Sequence, residues 1–187
     1  MRVDPPIIWT IGHSTHPIDE FIAILRAHGI ERVVDVRTVP RSAHNPQYDR
    51  KTLPGSLAAA GIGYAHMPGL GGLRHTRADS VSGVNGGWRN ESFRGYADYM
   101  QTDEFEAGLA ALIIEAGDKP TAIMCAEAVP WRCHRSLIAD ALDVRCVQVE
   151  HITGRGPTHP HSMTPFARVD GTRITYPPTP EPSKSES

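Results

Sequence analysis

Thr121-Ala-Ile-Met-Cys125-Ala-Glu-Ala-Val-Pro-Trp-Arg-Cys133-His-Arg135 is the stretch whose reading decides the fold. Thr121 to Met124 form an apolar run behind the breaker Lys119-Pro120, which is the pattern of a short buried strand. Farther on, Trp131, Leu137, Ile138, Ala141 and Leu142 are spaced to share one face of a helix, with Pro130 near its first turn. Thiols, a carboxylate, an imidazole and guanidiniums therefore fall between the C-terminal end of a strand and the N-terminus of a helix. Ligands of open α/β sheets bind at that edge. A helix N-terminus also favours anions and thiolates.

Working outward, strand and helix alternate. Ile7-Ile-Trp-Thr-Ile11 reads as a first buried strand, followed by Gly12-His-Ser-Thr15. Ser14 or Thr15 is the expected cap of a helix carrying Phe21, Ile22 and Leu25 and stopping at Gly29. Arg32-Val-Val-Asp-Val36 is a second strand, and Leu53, Leu57 and Ala60 mark a second helix closed by Gly61. Ile62-Gly-Tyr-Ala-His66 follows as a third strand. Residues 68–91 break the rhythm with a long glycine-rich loop, a length that in compact domains usually serves binding. Helical spacing resumes at Phe93, Tyr96, Ala97 and Met100, and Thr102 is placed to cap a separate helix with Phe105, Leu109 and Leu112. Arg145-Cys-Val-Gln-Val149 reads as the last central strand, 154–165 as irregular, and Asp170-Gly171 as the turn of an edge hairpin.

The expected fold is therefore α/β: a single three-layer domain over residues 1–176, with a mostly parallel central sheet flanked by helices and a C-terminal edge hairpin. Residues 177–187 have the composition of a disordered tail.

A chain of 187 residues accommodates one domain with a sizeable core. Its net charge of -2 argues against a generally basic nucleic-acid or membrane-surface protein. No apolar run reaches the length of a membrane span, and the first residues lack the apolar region of a secretory signal. Three cysteines, an odd number, fit free thiols in a reducing compartment, so a cytoplasmic location is expected.

Strand ends carry most of the chemistry: His13 and Ser14, Asp35 and Arg37, Cys125 and Glu127, then Glu150 and His151. In a parallel sheet these ends lie along one edge and converge on one pocket. Cys133 stands beside His134, between Arg132 and Arg135, where positive charge and the helix dipole favour a thiolate. Cys125 occupies the strand-to-helix position of a nucleophilic thiol, but its spacing to Arg132 is too long for a cysteine-phosphatase loop, and an inert buried cysteine is as good a reading. Arg37 and Arg41 suit an anionic group, or Arg37 and Asp35 are simply an ion pair. Cys125, Cys133, His13 and His151 are the ligand set if a soft metal such as zinc is bound, although no metal-type spacing supports one.

Thr10-Ile-Gly-His-Ser14, Asp35-Val-Arg37 with Pro40 and Ser42, Asn45-Pro46, Leu70-Gly-Gly72, Met124-Cys-Ala-Glu127, Cys133-His-Arg135 and His151-Ile152 together resemble the DUF488 family. The motifs run in the family's order from about Trp9 to Ile152. Ala43-His44 stands where relatives often carry basic residues. The resemblance implies an intracellular α/β protein whose motif residues gather in one pocket, and it brings no established reaction.

Two functions from different classes fit these residues. One is a cysteine-dependent transferase or hydrolase acting on an anionic substrate, a phosphate-bearing or nucleotide-like molecule. Its catalytic residues would be Cys125, Glu127, Cys133 and His134, and its binding residues His13, Ser14, Asp35, Arg37, Arg41, Arg135 and His151. The other is a non-catalytic nucleic-acid- or metal-binding module using the same pocket, with Arg74, Arg77, Arg89 and Arg94 as a local basic face. A third account makes the cluster a buried polar network that fixes the strand-to-helix turn. Neither cofactor nor oligomeric state is written in these residues.

Overall fold

The computed structural model describes residues 5–74 and 83–180. Arg77, expected in a basic face, lies outside the described residues, as do the middle of the glycine-rich loop and residues 181–187 of the expected tail. Strands β1 (Ile7–Gly12), β2 (Arg32–Asp35), β3 (Gly63–His66), β4 (Thr121–Cys125) and β5 (Gln148–Ile152) form a parallel sheet. A short antiparallel strand, β6 (His159–Pro160), pairs with β5, and the spatial order is β3-β2-β4-β1-β5-β6.

Every residue of β4 is buried, as a central parallel strand covered on both faces requires. Alternation along the strands divides the core in two. Val33, Ala122 and Met124 pack with Phe21 and Leu25 of α1 (Ile18–Ala27) and with Leu53 and Leu57 of α2 (Leu53–Ala59). Val34, Ile123 and Cys125 pack with Tyr96 of α3 (Glu91–Tyr99), Phe105 and Leu109 of α4 (Asp103–Glu115), and Leu137 and Ile138 of α5 (Arg135–Asp143). The expected α/β sheet flanked by helices is what forms.

Connections out of β1 run toward β2 and β3, past β4, whereas those out of β4 run the other way toward β5, past β1. Right-handed crossovers in opposite directions put helices on opposite faces. The neighbouring ends of β1 and β4 are thus a topological switch point, where a crevice opens beyond the carboxyl ends of the strands.

Several local expectations are corrected. Neither Ser14 nor Thr15 caps α1, whose N-cap is Pro17. The Ser14 N–H instead bonds the Ala126 carbonyl at 3.0 Å, and Ser14 turns the chain in the left-handed region at φ 49°. Thr102 does cap α4, its side chain accepting from the Phe105 N–H. Pro130 opens a 3-10 turn over Pro130–Arg132 rather than the helix itself, and Trp131, expected on the buried face, is 72% exposed. Arg145 and Cys146 lie in a turn and not in the last strand, because the Val147 N–H closes back on the Leu142 carbonyl with Cys146 at φ 60°. The hairpin around Gly171 forms from β7 (Arg168–Asp170) and β8 (Arg173–Thr175), but as a separate two-stranded sheet. The edge next to β5 goes to β6, from the segment read as irregular.

Candidate functional site

β1 and β4 run in register to Gly12 and Cys125, and pairing continues past the strands through the His13 N–H to the Cys125 carbonyl. A Cβ on Gly12 would lie 1.8 Å from the Glu127 carbonyl oxygen. Glycine here lets the chain after β4 fold directly across the end of β1. That close approach places residues 125–135 over the crevice.

The thiols of Cys125 and Cys133 meet there, with their Sγ atoms 2.8 Å apart. Cys133 is not in the helix, as its sequence position suggested. It precedes α5 in extended conformation, with a backbone N–H of the helix start directed at it. Burial pushes the Cys125 thiol up, and its contact with Cys133 adds to this. The Cys133 thiol is drawn down to about 7, first by the Cys125 hydrogen bond and then by Arg135. Of the two, Cys133 is the thiol that ionises readily, and Cys125 keeps its proton and can donate it in a hydrogen bond to Cys133.

Arg135 supplies the charge. It is fully buried, and its Nε donates to Cys125 Sγ at 3.0 Å. One Nη donates to the Glu127 carbonyl at 2.6 Å and the other to Thr10 Oγ1 at 3.0 Å. No carboxylate among the described residues pairs with it. An uncompensated buried cation is costly, and a neighbouring thiolate offsets it.

From Thr10 a chain of hydrogen bonds leads away from the pocket. Thr10 Oγ1 meets His151 Nδ1 at 2.6 Å, His151 Nε2 meets His161 Nδ1 at 3.0 Å, and His161 Nε2 meets Asp140 Oδ1 at 2.8 Å. The Asp140 carboxylate only accepts, so with both imidazoles neutral each link donates from Arg135 toward Asp140. Burial keeps His151 near 4, hence neutral, as this order requires. Asp140 also accepts from Tyr176 and from Thr164.

His134 flanks the thiol pair on the pocket side. Its Nε2 donates to the Val36 carbonyl at 2.9 Å, which leaves Nδ1 unprotonated and facing Cys133 Sγ at 3.4 Å. Burial holds the ring below its ordinary value. Tyr96 packs at a ring-centroid distance of 5.2 Å, and the backbone of Gly72 presses on the ring so closely that a Cβ there would sit 2.5 Å from Nδ1. Gly71 is equally close to Thr38, at 2.3 Å. These glycines serve close approach; Gly71 itself is in ordinary extended conformation.

Asp35 and Arg37 form a bidentate ion pair, with Nη2 to Oδ2 at 2.7 Å and Nε to Oδ1 at 2.9 Å. Tyr64 also donates to Asp35, and Arg37 reaches the Tyr48 carbonyl. His13 gives its Nδ1 proton to the Ser14 carbonyl and faces Arg37 with Nε2 at 3.3 Å. Burial lowers His13 to about 4.

A cleft of about 480 Å³ opens over these groups, within the small-molecule range of roughly 300–1,000 Å³. Cys125, Cys133, His134, His13, Arg37, Arg41, Arg132 and Glu127 line it. A model of the family described as "Domain of unknown function DUF488" matches residues 17–142. The chain belongs to DUF488. No curated protein and no solved structure matches it significantly.

Of the expected DUF488 pocket residues, His13, Arg37, Arg41, Cys125, Glu127, Cys133 and His134 line the cleft, whereas Ser14, Asp35, Arg135 and His151 do not. The Glu127 carboxylate accepts from the Val129 N–H at 3.2 Å, and it is the residue's carbonyl that orients Arg135. His151 does not line the cleft and reaches it only through Thr10 and Arg135. Ser14 also stays out of the cleft and acts through its backbone. Cys125, Cys133, His13 and His151 do not gather, and no group of three or more metal-type ligands occurs among the described residues. Thr10 and Asp140 were not singled out from sequence, and His161, in a segment read as irregular and solvated, is instead nearly buried against Asp140. A threonine inside the apolar β1 run and an aspartate on the buried side of α5 are the signals that pointed to them.

No helix among the described residues is long and apolar enough to cross a membrane.

Proposed function

We propose that this DUF488 protein is a cysteine-dependent transferase or hydrolase for an anionic, phosphate-bearing or nucleotide-like substrate. The observation that carries this reading is the buried Arg135 guanidinium, which among the described residues has two thiols and no carboxylate for a counter-charge. A thiolate placed this way is a nucleophile. Arg41 and Arg132, exposed at the mouth of the cleft, attract the anion. Arg37 faces the same cleft, but most of its donors are taken by Asp35 and Tyr48, so its part is to hold His13 and the floor rigid.

In the reaction, Cys133 Sγ attacks the electrophilic centre of the transferred group, and a bond from sulfur to that centre forms. The thiol proton passes to His134 Nδ1, and from there to the oxygen of the leaving group as its bond breaks. Water or an acceptor hydroxyl then attacks the thio-linked group, gives its proton to His134, and releases the Cys133 thiolate. Cys125 keeps its proton throughout and stabilises the thiolate.

The nucleic-acid-binding alternative has less support. Arg74 lies 3.7 Å over the Tyr99 ring and bonds backbone carbonyls, and Arg94 is spent on the Trp88 carbonyl. A panel of nucleotides and phosphorylated metabolites, incubated with the full chain and acid-quenched, tests the enzyme reading by peptide mass spectrometry. An adduct on the Cys133 peptide, lost in Cys133→Ser together with product, is the expected result. Turnover that survives Cys133→Ser would overturn it.

A further inference from the structure

The nucleophile reading leaves one group without a chemical step: a second buried thiol 2.8 Å from the first. Two sulfur atoms that close need less than an ångström of further approach to reach the bond length of about 2.05 Å. Their places in the chain allow it. Cys125 ends a rigid central strand, whereas Cys133 precedes α5 in an extended segment after a short 3-10 turn, which can shift without breaking a strand or helix. Both thiols line the cleft and both are buried, Cys133 at 7% and Cys125 at 3% exposure. A solute that oxidises Cys133 in the cleft finds Cys125 already in contact with it.

We infer that Cys125 and Cys133 form a redox couple, in which a small hydroperoxide oxidises Cys133 and Cys125 closes a disulfide with it. This rests on the reading of Cys133 as the pocket's nucleophile. The Cys133 sulfur attacks the distal oxygen of the peroxide, the O–O bond breaks, and the thiol proton ends on the released alcohol or water, leaving a sulfenic acid. The Cys125 sulfur then displaces the sulfenic hydroxyl, which leaves as water with the Cys125 proton. Peroxide is reduced by two electrons and the dithiol is oxidised by two. A soluble dithiol or two monothiols reverse the bond by exchange.

The surroundings of Arg135 determine which form is preferred. In the reduced pair a thiolate offsets the buried guanidinium; in the disulfide no anionic group among the described residues does. Stabilising the reduced form makes a disulfide more oxidising. The bond is therefore easily reduced, and the couple resets in a reducing environment. While it lasts, it removes the nucleophile and blocks the sulfur against further oxidation. Cys146 is remote from the cleft, in the turn after α5, and serves as the internal control.

The test uses the full chain, reduced, freed of thiol, and given one equivalent of hydrogen peroxide at neutral pH. Peptide mass spectrometry is expected to find a Cys125–Cys133 cross-link, reversed by glutathione, with Cys146 still free. In Cys125→Ser the cross-link is lost and a dimedone-trapped sulfenic acid appears on Cys133; Cys125→Ala serves if the serine variant does not fold. Sulfinic acid on Cys133 of the wild type without a cross-link overturns the couple. If Cys133 is still rapidly alkylated by iodoacetamide, the nucleophile reading survives that result; if Cys133 resists both reagents, both fall.

Discussion

Arg135 Nε donates to Cys125 Sγ across 3.0 Å, and this contact joins a buried charge to a thiol that is itself in contact with a second. Arg135→Met is expected to raise the apparent pKa of Cys133 by about a pH unit or more, because it removes the charge that holds the thiolate. The Glu127 carbonyl and Thr10 hydroxyl lose a donor as well, at about 1–3 kcal/mol for each group left unsatisfied. Iodoacetamide alkylation against pH reads the first effect and a melting curve the second.

Gly72 is the position where a single methyl group reports on His134. With a Cβ placed 2.5 Å from Nδ1, Gly72→Ala must push the ring or the loop aside. We expect about 1–3 kcal/mol of destabilisation and a loss of the Cys133–His134 contact, visible as a changed imidazole signal in NMR. Gly69→Ala, which meets nothing within 4 Å, is the control and should change neither.

The path from Arg135 to Asp140 makes a different prediction. His151→Phe keeps an aromatic ring but removes both nitrogens, so Thr10 and His161 lose their partners. Stability should fall by about 1–3 kcal/mol, and the pH profile of Cys133 alkylation should shift because Thr10 no longer orients Arg135. A loss of stability with an unchanged profile would make His151 structural only.

Acid should destabilise the fold over a defined window. His13 and His151 are lowered to about 4 by burial, from an ordinary value of about 6.5. The unfolded chain therefore binds more protons between those values, and stability rises with pH across them. The contribution is present above about 6.5 and is lost as pH falls through 4. Denaturant midpoints from pH 7 to 4 should decline over that interval in the wild type and less steeply in His151→Phe.

Much of the architecture was legible because a fully buried parallel strand has an unambiguous sequence signature, as Thr121 to Met124 show. The cap at Thr102 was legible for the same kind of reason, a local one. What escaped was non-local. Ser14 resembles a cap until Ala126, far along the chain, takes its N–H. Trp131 fits a helical face only if the helix starts early; a 3-10 turn rotates it outward. In the site, Cys125, Cys133, His134 and Arg135 could be named from spacing, but not the order of the contacts. The counter-charge of Arg135 depends on which groups are absent around it, and absence has no motif. Asp140 and His161 meet only after β6 has folded along β5.

The most direct measurement of the account is the pH dependence of Cys133 alkylation in the native, reduced protein, resolved by peptide. The structure predicts that Cys133 reacts with an apparent pKa near 7, while Cys125 stays protected. If Cys133 titrates at or above the free-thiol value of about 8.5, or reacts only after unfolding, then Arg135 does not sustain a thiolate and the nucleophile is elsewhere.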